Sequence, residues 1–176
     1  MANKIGKIRK IKQRSIANDR VYTPLEVALK LIEMTEIKET DSILDPSKGR
    51  GIFFDNLPNC RKKLWCEIED GVDFFEFHHD DIDVVIGNPP YSLWTDWLKH
   101  TISLNPRKIA YVFGMLNFTP IRLQLLYDNG YRITKIHITT VANWFANCVL
   151  AVFERNAEPI ITFDTIRHKE QKGLKT

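Results

Sequence analysis

The amino-acid sequence predicts a single α/β domain with a doubly wound, mostly parallel sheet. Short apolar runs that end in polar or glycine-containing turns alternate with stretches of helical periodicity along most of the 176 residues. One run, 83–87, is apolar enough at Val84, Val85 and Ile86 to be buried on both faces, as strands of parallel sheets are. The length suits one domain with a full core and is too short for two of ordinary size.

The first half of the chain supplies one helix and the first strands. Thr23-Pro24-Leu25-Glu26 predicts a helix start with Thr23 as its N-cap, and we expect this helix to reach about Met34. The segments that follow are a strand at 42–44, a short helical stretch at 52–57, a second strand at 63–68 and a brief third strand at 72–75.

The second half continues the alternation and ends in a pair of strands. After the buried strand at 83–87 we expect a helix at 93–104, a strand at 108–113 and a helix at 121–127 that ends at Asn129-Gly130. Segments 132–141 and 148–154 predict the last two strands, which are close enough in sequence to pair antiparallel. The expected sheet is therefore mostly parallel with a final antiparallel strand.

Basic residues are concentrated at the two ends of the chain, although the net charge is only +3. We expect a flexible basic arm at 1–20, the folded domain at 21–157 and a basic tail at 158–176. Such runs are most often solvated, but they attract phosphates where a nucleic-acid site exists. The arm residues assigned to such contacts are Lys7, Arg9, Lys10, Lys12 and Arg14.

Composition disfavours metalloproteins, disulfide scaffolds and membrane proteins. The three cysteines are scattered, so neither a zinc site nor a disulfide framework is expected, and we assign no metal. No apolar run approaches the roughly 20 residues that cross a bilayer, and none follows the basic N-terminus as in a secretory signal. These features favour an intracellular, cytoplasmic protein without a membrane partner.

Residues suited to a nucleoside ligand follow the first three predicted strands, where ligands of open parallel sheets bind. The loop Asp45-Pro46-Ser47-Lys48-Gly49-Arg50-Gly51 contains glycines that let the backbone approach a ligand, and it matches neither the phosphate loop nor the dinucleotide fingerprint. Its carboxylate suits a ligand with positive charge, such as an amino acid moiety with a sulfonium. Glu67 is placed to accept ribose hydroxyls, and Asp73-Phe74 to bind an adenine amino group and cover the ring.

Asn88-Pro89-Pro90-Tyr91 follows the buried strand and offers acceptors for an amino group. The prolines fix φ and remove two backbone donors, so the turn presents carbonyl oxygens rigidly. The Asn88 side-chain oxygen and the Pro89 carbonyl can bind both hydrogens of an aromatic amine, whose lone pair then points at a methyl donor. Tyr91 offers a face on which a flipped-out base can stack.

These motifs resemble the adenine-N6 amino-methyltransferases of DNA in which cofactor motifs precede a catalytic NPPY tetrapeptide. The resemblance covers roughly residues 21–155 and implies a Rossmann-like class I methyltransferase fold with S-adenosylmethionine as cofactor. The residues assigned to the methionine end of the cofactor are Tyr22, Thr23 and Pro24 and, within the DPxxGxG motif, Asp45, Pro46, Ser47, Gly49 and Gly51. The resemblance assigns the ribose to Glu67 and the adenine to Asp73 and Phe74. It assigns catalysis to Asn88, Pro89, Pro90 and Tyr91, and base stacking to Tyr91, Trp144 and Phe145.

The sequence departs from this family in two ways. Only a handful of residues separate Glu67 from Asp73, so we expect the usual intervening helix to be missing and the cofactor's adenine to be more exposed. We expect no separate target-recognition domain, whereas readout of a DNA sequence needs several side chains at base edges. Sequence preference is therefore expected to be short or weak, or to come from a homodimer partner or a specificity subunit. Such compact forms are similar to enzymes of phages and large viruses, which act in the host cytoplasm.

Methylation of adenine N6 in DNA is the leading hypothesis among several. Methylation of a protein glutamine amide is the runner-up, because that family also carries NPPY, and RNA adenine is a further alternative. Cytosine N4 is less favoured because that group more often has Ser in place of Asn88. A hypothesis from another class is a catalytically silent module that binds nucleic acid or partners an active subunit.

Overall fold

The structure is a computed structural model that describes residues 22–141 and 147–164. Within these residues the chain forms six strands and three α-helices. The strands are β1 (Ser42–Asp45), β2 (Lys62–Trp65), β3 (Val84–Gly87), β4 (Lys108–Gly114), β5 (Tyr131–Thr139) and β6 (Cys148–Arg155). The helices are α1 (Leu25–Thr35), α2 (Trp94–Ser103) and α3 (Pro120–Asp128).

The strands form one sheet in the order β2-β1-β3-β4-β6-β5. Strands β1 to β4 pair in parallel, and β6 runs antiparallel to both of its neighbours, β4 and β5. The predicted fold class is confirmed, including the final antiparallel strand. From β1 the chain moves to β2 on one side and then returns to β3 on the other, so the strand order reverses between β1 and β3. Ligands of open α/β sheets bind beside such a reversal, at the carboxyl ends of the strands.

Apolar side chains on both faces of the sheet form the core. Ile43 and Val84 face the layer covered by α1, whereas the next residues, Leu44 and Val85, face the layer covered by α2 and α3. All four side chains are fully buried. Burial of β3 on both faces agrees with its uninterrupted apolar run. The carboxyl ends of β1 and β3 are therefore held rigidly by packing.

The prediction of a strand at 72–75 is wrong. Val72 makes only an isolated bridge to Glu67, and Phe74–Glu76 forms a turn of 3-10 helix. The side chain of Asp73 accepts a hydrogen bond from the Phe75 N–H at 3.0 Å, which begins this turn. Local side chain-to-backbone bonding thus competes successfully with strand pairing in this short connection.

Two other predicted elements are shorter than expected. The helical stretch at 52–57 is a 3-10 turn at Phe54–Asn56, and β2 ends at Trp65 rather than at residue 68. Past Trp65 the Cys66 N–H donates to the Asp45 carbonyl at 2.9 Å, and the Lys48 N–H donates to the Cys66 carbonyl at 3.0 Å. Because Lys48 lies in the loop after β1, this segment supports that loop once the strand has ended.

The first helix begins one residue later than its sequence pattern suggests. Pro24 is the N-cap residue rather than Thr23, and no side chain caps the helix. The Ala28 N–H donates to the Pro24 carbonyl at 3.1 Å and closes the first turn. The Thr23 hydroxyl is consequently available for a contact elsewhere.

The packed part of the chain extends beyond the predicted domain boundary at 157. The Ile160 N–H donates to the Ile133 carbonyl at 3.0 Å. The ring of Phe163 packs against that of Tyr127 with a centroid distance of 4.8 Å. The segment up to Phe163 therefore belongs to the folded body rather than to a tail.

Several sequence predictions fall outside the described residues. They concern Trp144, Phe145, the arm residues Lys7, Arg9, Lys10, Lys12 and Arg14, and the tail from residue 165 onward. Among the residues that are described, no helix is both long and apolar enough to cross a bilayer. The same residues contain no group of three or more histidine, cysteine or acidic side chains arranged to hold a metal ion.

Candidate active site

Asp45 ends β1 at the reversal of strand order and is fully buried. Its Oδ1 accepts a hydrogen bond from the Ser47 N–H at 3.2 Å, whereas its Oδ2 is buried without a hydrogen-bond partner. Burial raises the pKa of this carboxyl to about 7. Leaving a buried carboxylate oxygen without a donor is unfavourable, and a cationic ligand group placed beside it would offset that cost.

The glycines of the loop after β1 adopt backbone conformations that other residues avoid. The φ angle is +53° at Gly49 and +85° at Gly51, both in the left-handed region. A Cβ atom at Gly51 would come within 2.5 Å of Oδ2 of Asp55. The tight turn predicted from the two glycines is therefore present.

The ends of β1 and β3 approach each other closely at Gly87, which sequence reasoning did not assign to the site. A Cβ atom there would lie 3.2 Å from Oδ1 of Asp45, 3.4 Å from Cδ of Pro46 and 3.6 Å from Oγ of Ser47. A residue without a side chain lets the two loops meet at this distance. The sequence signal was a glycine at the end of a buried strand, directly before Asn88.

Glu67 lies beside the glycine-containing loop and helps to shape it. Its Oε2 accepts a hydrogen bond from the Gly49 N–H at 2.7 Å, and its Oε1 accepts one from the Glu69 N–H at 3.1 Å. Each carboxylate oxygen can accept a second hydrogen bond, so these contacts orient Glu67 without excluding ribose hydroxyls. Ribose binding by this residue stays a prediction.

Asp73 and Phe74 have different surroundings. One oxygen of Asp73, Oδ1, accepts a hydrogen bond from the Phe75 N–H, and the other, Oδ2, is buried without a hydrogen-bond partner. Phe74 is only 3% exposed, and its ring packs on Trp97 with a centroid distance of 4.4 Å. The structure thus leaves Asp73 an oxygen for a ligand, whereas the Phe74 ring belongs to the core rather than covering an adenine.

Asn88 follows β3 and is hydrogen-bonded to two other segments of the site. The Ser47 hydroxyl donates to the main-chain carbonyl of Asn88 at 3.1 Å. The side-chain Nδ2 of Asn88 donates to Oγ1 of Thr23 at 3.1 Å. The segment before α1, the loop after β1 and the tetrapeptide after β3 therefore meet at one edge of the sheet.

The prolines and Tyr91 fix the path of the chain out of β3. Pro89 is buried, and Pro90 is extended with φ −63° and ψ 126°. Tyr91 then begins a 3-10 turn that leads directly into α2. Its half-buried ring lies beside the end of β4, because a Cβ atom at Gly114 would be 3.8 Å from Cε2 of Tyr91. The aromatic ring is thus held at the same edge of the sheet as Asn88.

Tyr22 and Arg50 connect the segment before α1 to the loop after β1. The guanidinium carbon of Arg50 lies 3.9 Å from the centroid of the Tyr22 ring, which is a cation–π contact. Sequence reasoning missed Arg50 because nothing in the chain order indicates that it lies against Tyr22. Together with the contact between Thr23 and Asn88, this pair places residues 22–24 beside both loops, as the assignment to the methionine end of a cofactor requires.

Comparisons with solved structures find methyltransferases of similar fold. A dimethyladenosine transferase from Plasmodium falciparum has a TM-score of 0.60 and 16% identity, covering 77% of this chain and 63% of its own. A protein assigned as a modification subunit of a type I restriction enzyme from Vibrio vulnificus YJ016 has a TM-score of 0.58 and 15% identity, covering 88% of this chain and 48% of its own. A complex from E. cuniculi responsible for methylation of the termination factor eRF1 has a TM-score of 0.58 and 15% identity, covering 77% and 98%.

These similarities define the class of fold. The chain forms a Rossmann-like domain of the kind found in methyltransferases, with the predicted site at the carboxyl edge of its sheet. It spans less than two thirds of the length of the first and second of these proteins, at 63% and 48%. No protein-family model matches the sequence, and a search of curated proteins finds no match.

Proposed function

We propose that this protein transfers a methyl group from S-adenosylmethionine to the exocyclic N6 amino group of adenine in DNA. The observation that carries the proposal is the junction of Asp45, Ser47 and Asn88 at the reversal of strand order. Ser47 bonds to Asp45 through its N–H at 3.2 Å and to the Asn88 carbonyl through its hydroxyl at 3.1 Å. A cofactor loop and an amine-binding turn are thereby joined through one residue.

The residues at this edge fit S-adenosylmethionine. Two buried carboxylate oxygens, Oδ2 of Asp45 and Oδ2 of Asp73, have no hydrogen-bond partner, and these are the groups expected to meet a cationic end and an adenine amino group. Glu67 lies between them along the chain and keeps acceptor capacity for ribose hydroxyls. When bound, this cofactor supplies an electrophilic methyl group on a sulfonium.

The tetrapeptide provides the means to orient the amine. In the proposed mechanism, Oδ1 of Asn88 and the carbonyl of Pro89 accept the two amino hydrogens, so that the nitrogen lone pair points at the methyl carbon. Bound S-adenosylmethionine would supply the methyl group, and the methylated amino nitrogen would release one proton to solvent. Tyr91 stacks on the base that has left the duplex.

The choice of substrate rests on the similar structures and on the charge of the chain ends. Among the similar structures, the dimethyladenosine transferase favours adenine as the target, whereas the complex responsible for methylation of eRF1 favours a protein substrate. The Thr-Pro segment before the cofactor loop and the basic ends of the chain favour nucleic acid. A homodimer partner or a separate subunit would supply sequence specificity.

Incubation with methyl-labelled cofactor tests this function directly. The panel consists of duplex DNA, single-stranded DNA, RNA and a protein extract, and nucleoside analysis identifies the methylated atom. We expect label in DNA as N6-methyladenine. Label in RNA or in glutamine would replace the substrate, and no labelling together with no cofactor binding by calorimetry would reject the enzyme.

Replacement of Asn88 separates binding from catalysis. We expect Asn88→Ala to lower kcat by about 100-fold or more while leaving cofactor affinity nearly unchanged, because its side-chain oxygen is assigned to the target amine and no contact of Asn88 with the cofactor is assigned. Asn59→Ala is a suitable control, since Asn59 is exposed in the loop before β2. Equal loss of cofactor binding and turnover in Asn88→Ala would contradict the assignment.

A further inference from the structure

We propose that Thr23 is a positioning residue for Asn88, whose side-chain amide it orients so that the carbonyl oxygen is turned toward the target amine. This proposal rests on the proposed function of the same site. The resemblance assigns Thr23 only to the cofactor, so a role toward the catalytic turn is additional. It follows from one contact between residues that are far apart in sequence.

The contact has a defined polarity. Nδ2 of Asn88 donates to Oγ1 of Thr23 at 3.1 Å across a separation of 65 residues, and both side chains are half-buried. The nitrogen and the oxygen of a primary amide are bonded to the same carbon and point in different directions. Holding the nitrogen against Thr23 therefore directs the oxygen away from α1. If the amide were turned over, Asn88 would present donors to an amino group that also needs acceptors.

Thr23 occupies a rigid position. Pro24 is the N-cap of α1, and the helix start uses no side-chain cap, so the Thr23 hydroxyl is not engaged there. Val27 and Ala28 of the first turns are buried in the core on the α1 face of the sheet. The hydroxyl is thus presented by a packed helix start rather than by a free loop.

The main chain of Asn88 is held independently of its side chain. The Ser47 hydroxyl donates to the Asn88 carbonyl at 3.1 Å, and the preceding Gly87 packs against Asp45. With the backbone fixed, the main freedom left to Asn88 is rotation of its amide. Thr23 restrains that rotation, and preorganised catalysis depends on a fixed orientation of the amide oxygen.

Thr23→Val and Thr23→Ser test the role. Valine keeps the size of threonine but cannot accept a hydrogen bond, whereas serine keeps the hydroxyl. We expect Thr23→Val to lower kcat, measured at saturating S-adenosylmethionine, by about 10- to 100-fold beyond any change in the Kd of the cofactor, with the KM for DNA changed by less than about threefold, and Thr23→Ser to recover most of the rate. Thr119→Val is the matched control, because Thr119 also precedes a proline at a helix start and makes no side-chain cap bond.

The side-chain NH₂ resonances of Asn88 provide a readout that needs no activity. They can be assigned by their loss in Asn88→Ala, and we expect Thr23→Val, but not Thr119→Val, to shift them and speed their exchange with water. Unchanged resonances and unchanged kcat in Thr23→Val would overturn the positioning role, as would a loss confined to cofactor affinity. Absence of methyl transfer by the wild type, with the resonances still coupled to Thr23, would reject the proposed function alone.

Discussion

The surroundings of Asp45, a residue assigned to the cofactor, are unfavourable for an ionised carboxylate. It is fully buried, and the desolvation of its carboxylate raises its pKa to about 7. Hydrogen bonds from backbone N–H groups oppose this rise but do not cancel it. The free protein therefore holds Asp45 partly protonated near neutral pH, and only the ionised form can pair with a cationic ligand.

Cofactor affinity should accordingly depend on pH. Below pH 7 the bound proton must leave before Asp45 can pair with the ligand, so we expect the Kd of S-adenosylmethionine to rise about tenfold for each pH unit below 7. Calorimetry between about pH 5.5 and 7.5 suits the test, because an α-amino group titrates only near 8. Asp45→Asn should bind weakly and without this slope. A wild-type Kd that is constant over the range would contradict the ionic role of Asp45.

At the level of single residues the sequence predicted that several candidate site residues share one edge of the sheet, and their assigned roles stay predictions. Asp45, Asn88 and Tyr91 were found because they follow strand ends, and strand ends of a parallel sheet share one edge. Arg50 was missed because its contact with Tyr22 depends on how two distant segments pack. The Phe74 ring was misassigned because an aromatic residue next to an acidic one has the same sequence pattern whether its ring points to a ligand or to the core.

At the level of elements the close approach of β1 and β3 holds the site together. Gly87→Ala adds a Cβ atom 3.2 Å from Oδ1 of Asp45, which must shift to make room. We expect about 1 kcal/mol or more of overpacking cost and about a 5- to 10-fold loss of cofactor affinity, measured by urea unfolding and calorimetry.

Gly114→Ala is the matched control for this substitution, at the end of the neighbouring strand β4. A Cβ atom there meets only Cε2 of Tyr91 at 3.8 Å, an ordinary contact. Cofactor affinity should therefore change by less than about twofold in Gly114→Ala. Equal effects of the two substitutions would mean that the spacing between β1 and β3 does not determine cofactor affinity.

Element prediction succeeded where periodicity is long and failed where connections are short. The helices α2 and α3 and the antiparallel pair β5 and β6 were placed within a few residues, because their patterns extend over several turns or pairs. The connection from β2 to β3 was predicted to contain a strand, but hydrogen bonds from nearby backbone N–H groups to Asp73 and Glu67 favour 3-10 turns there. Such local competition is not visible in hydrophobic periodicity.

At the level of the whole molecule charge is divided unequally. The described residues contain 14 lysines and arginines and 20 aspartates and glutamates, although the full chain has a net charge of +3. The excess of positive charge therefore lies in the terminal segments. An acidic body repels the phosphates of DNA, so a nucleic-acid substrate must be attracted chiefly by the ends of the chain.

Deletion of residues 2–14 tests whether the N-terminal arm attracts the phosphates of DNA. For duplex DNA, each phosphate that the arm no longer neutralises should reduce the slope of log K against log salt concentration by about 0.9. Removal of the basic residues of the arm should therefore flatten the salt dependence of DNA binding markedly and weaken binding at low salt. Deletion of 165–176 is the comparison, because that segment is also basic but carries fewer lysines and arginines. Cofactor binding should be unaffected by either deletion, since its assigned residues lie between Tyr22 and Phe74. If the salt slope stays the same without residues 2–14, the arm makes no phosphate contacts, and these must come from residues 165–176 or from basic side chains of the body such as Lys48 and Arg50, beside the cofactor loop.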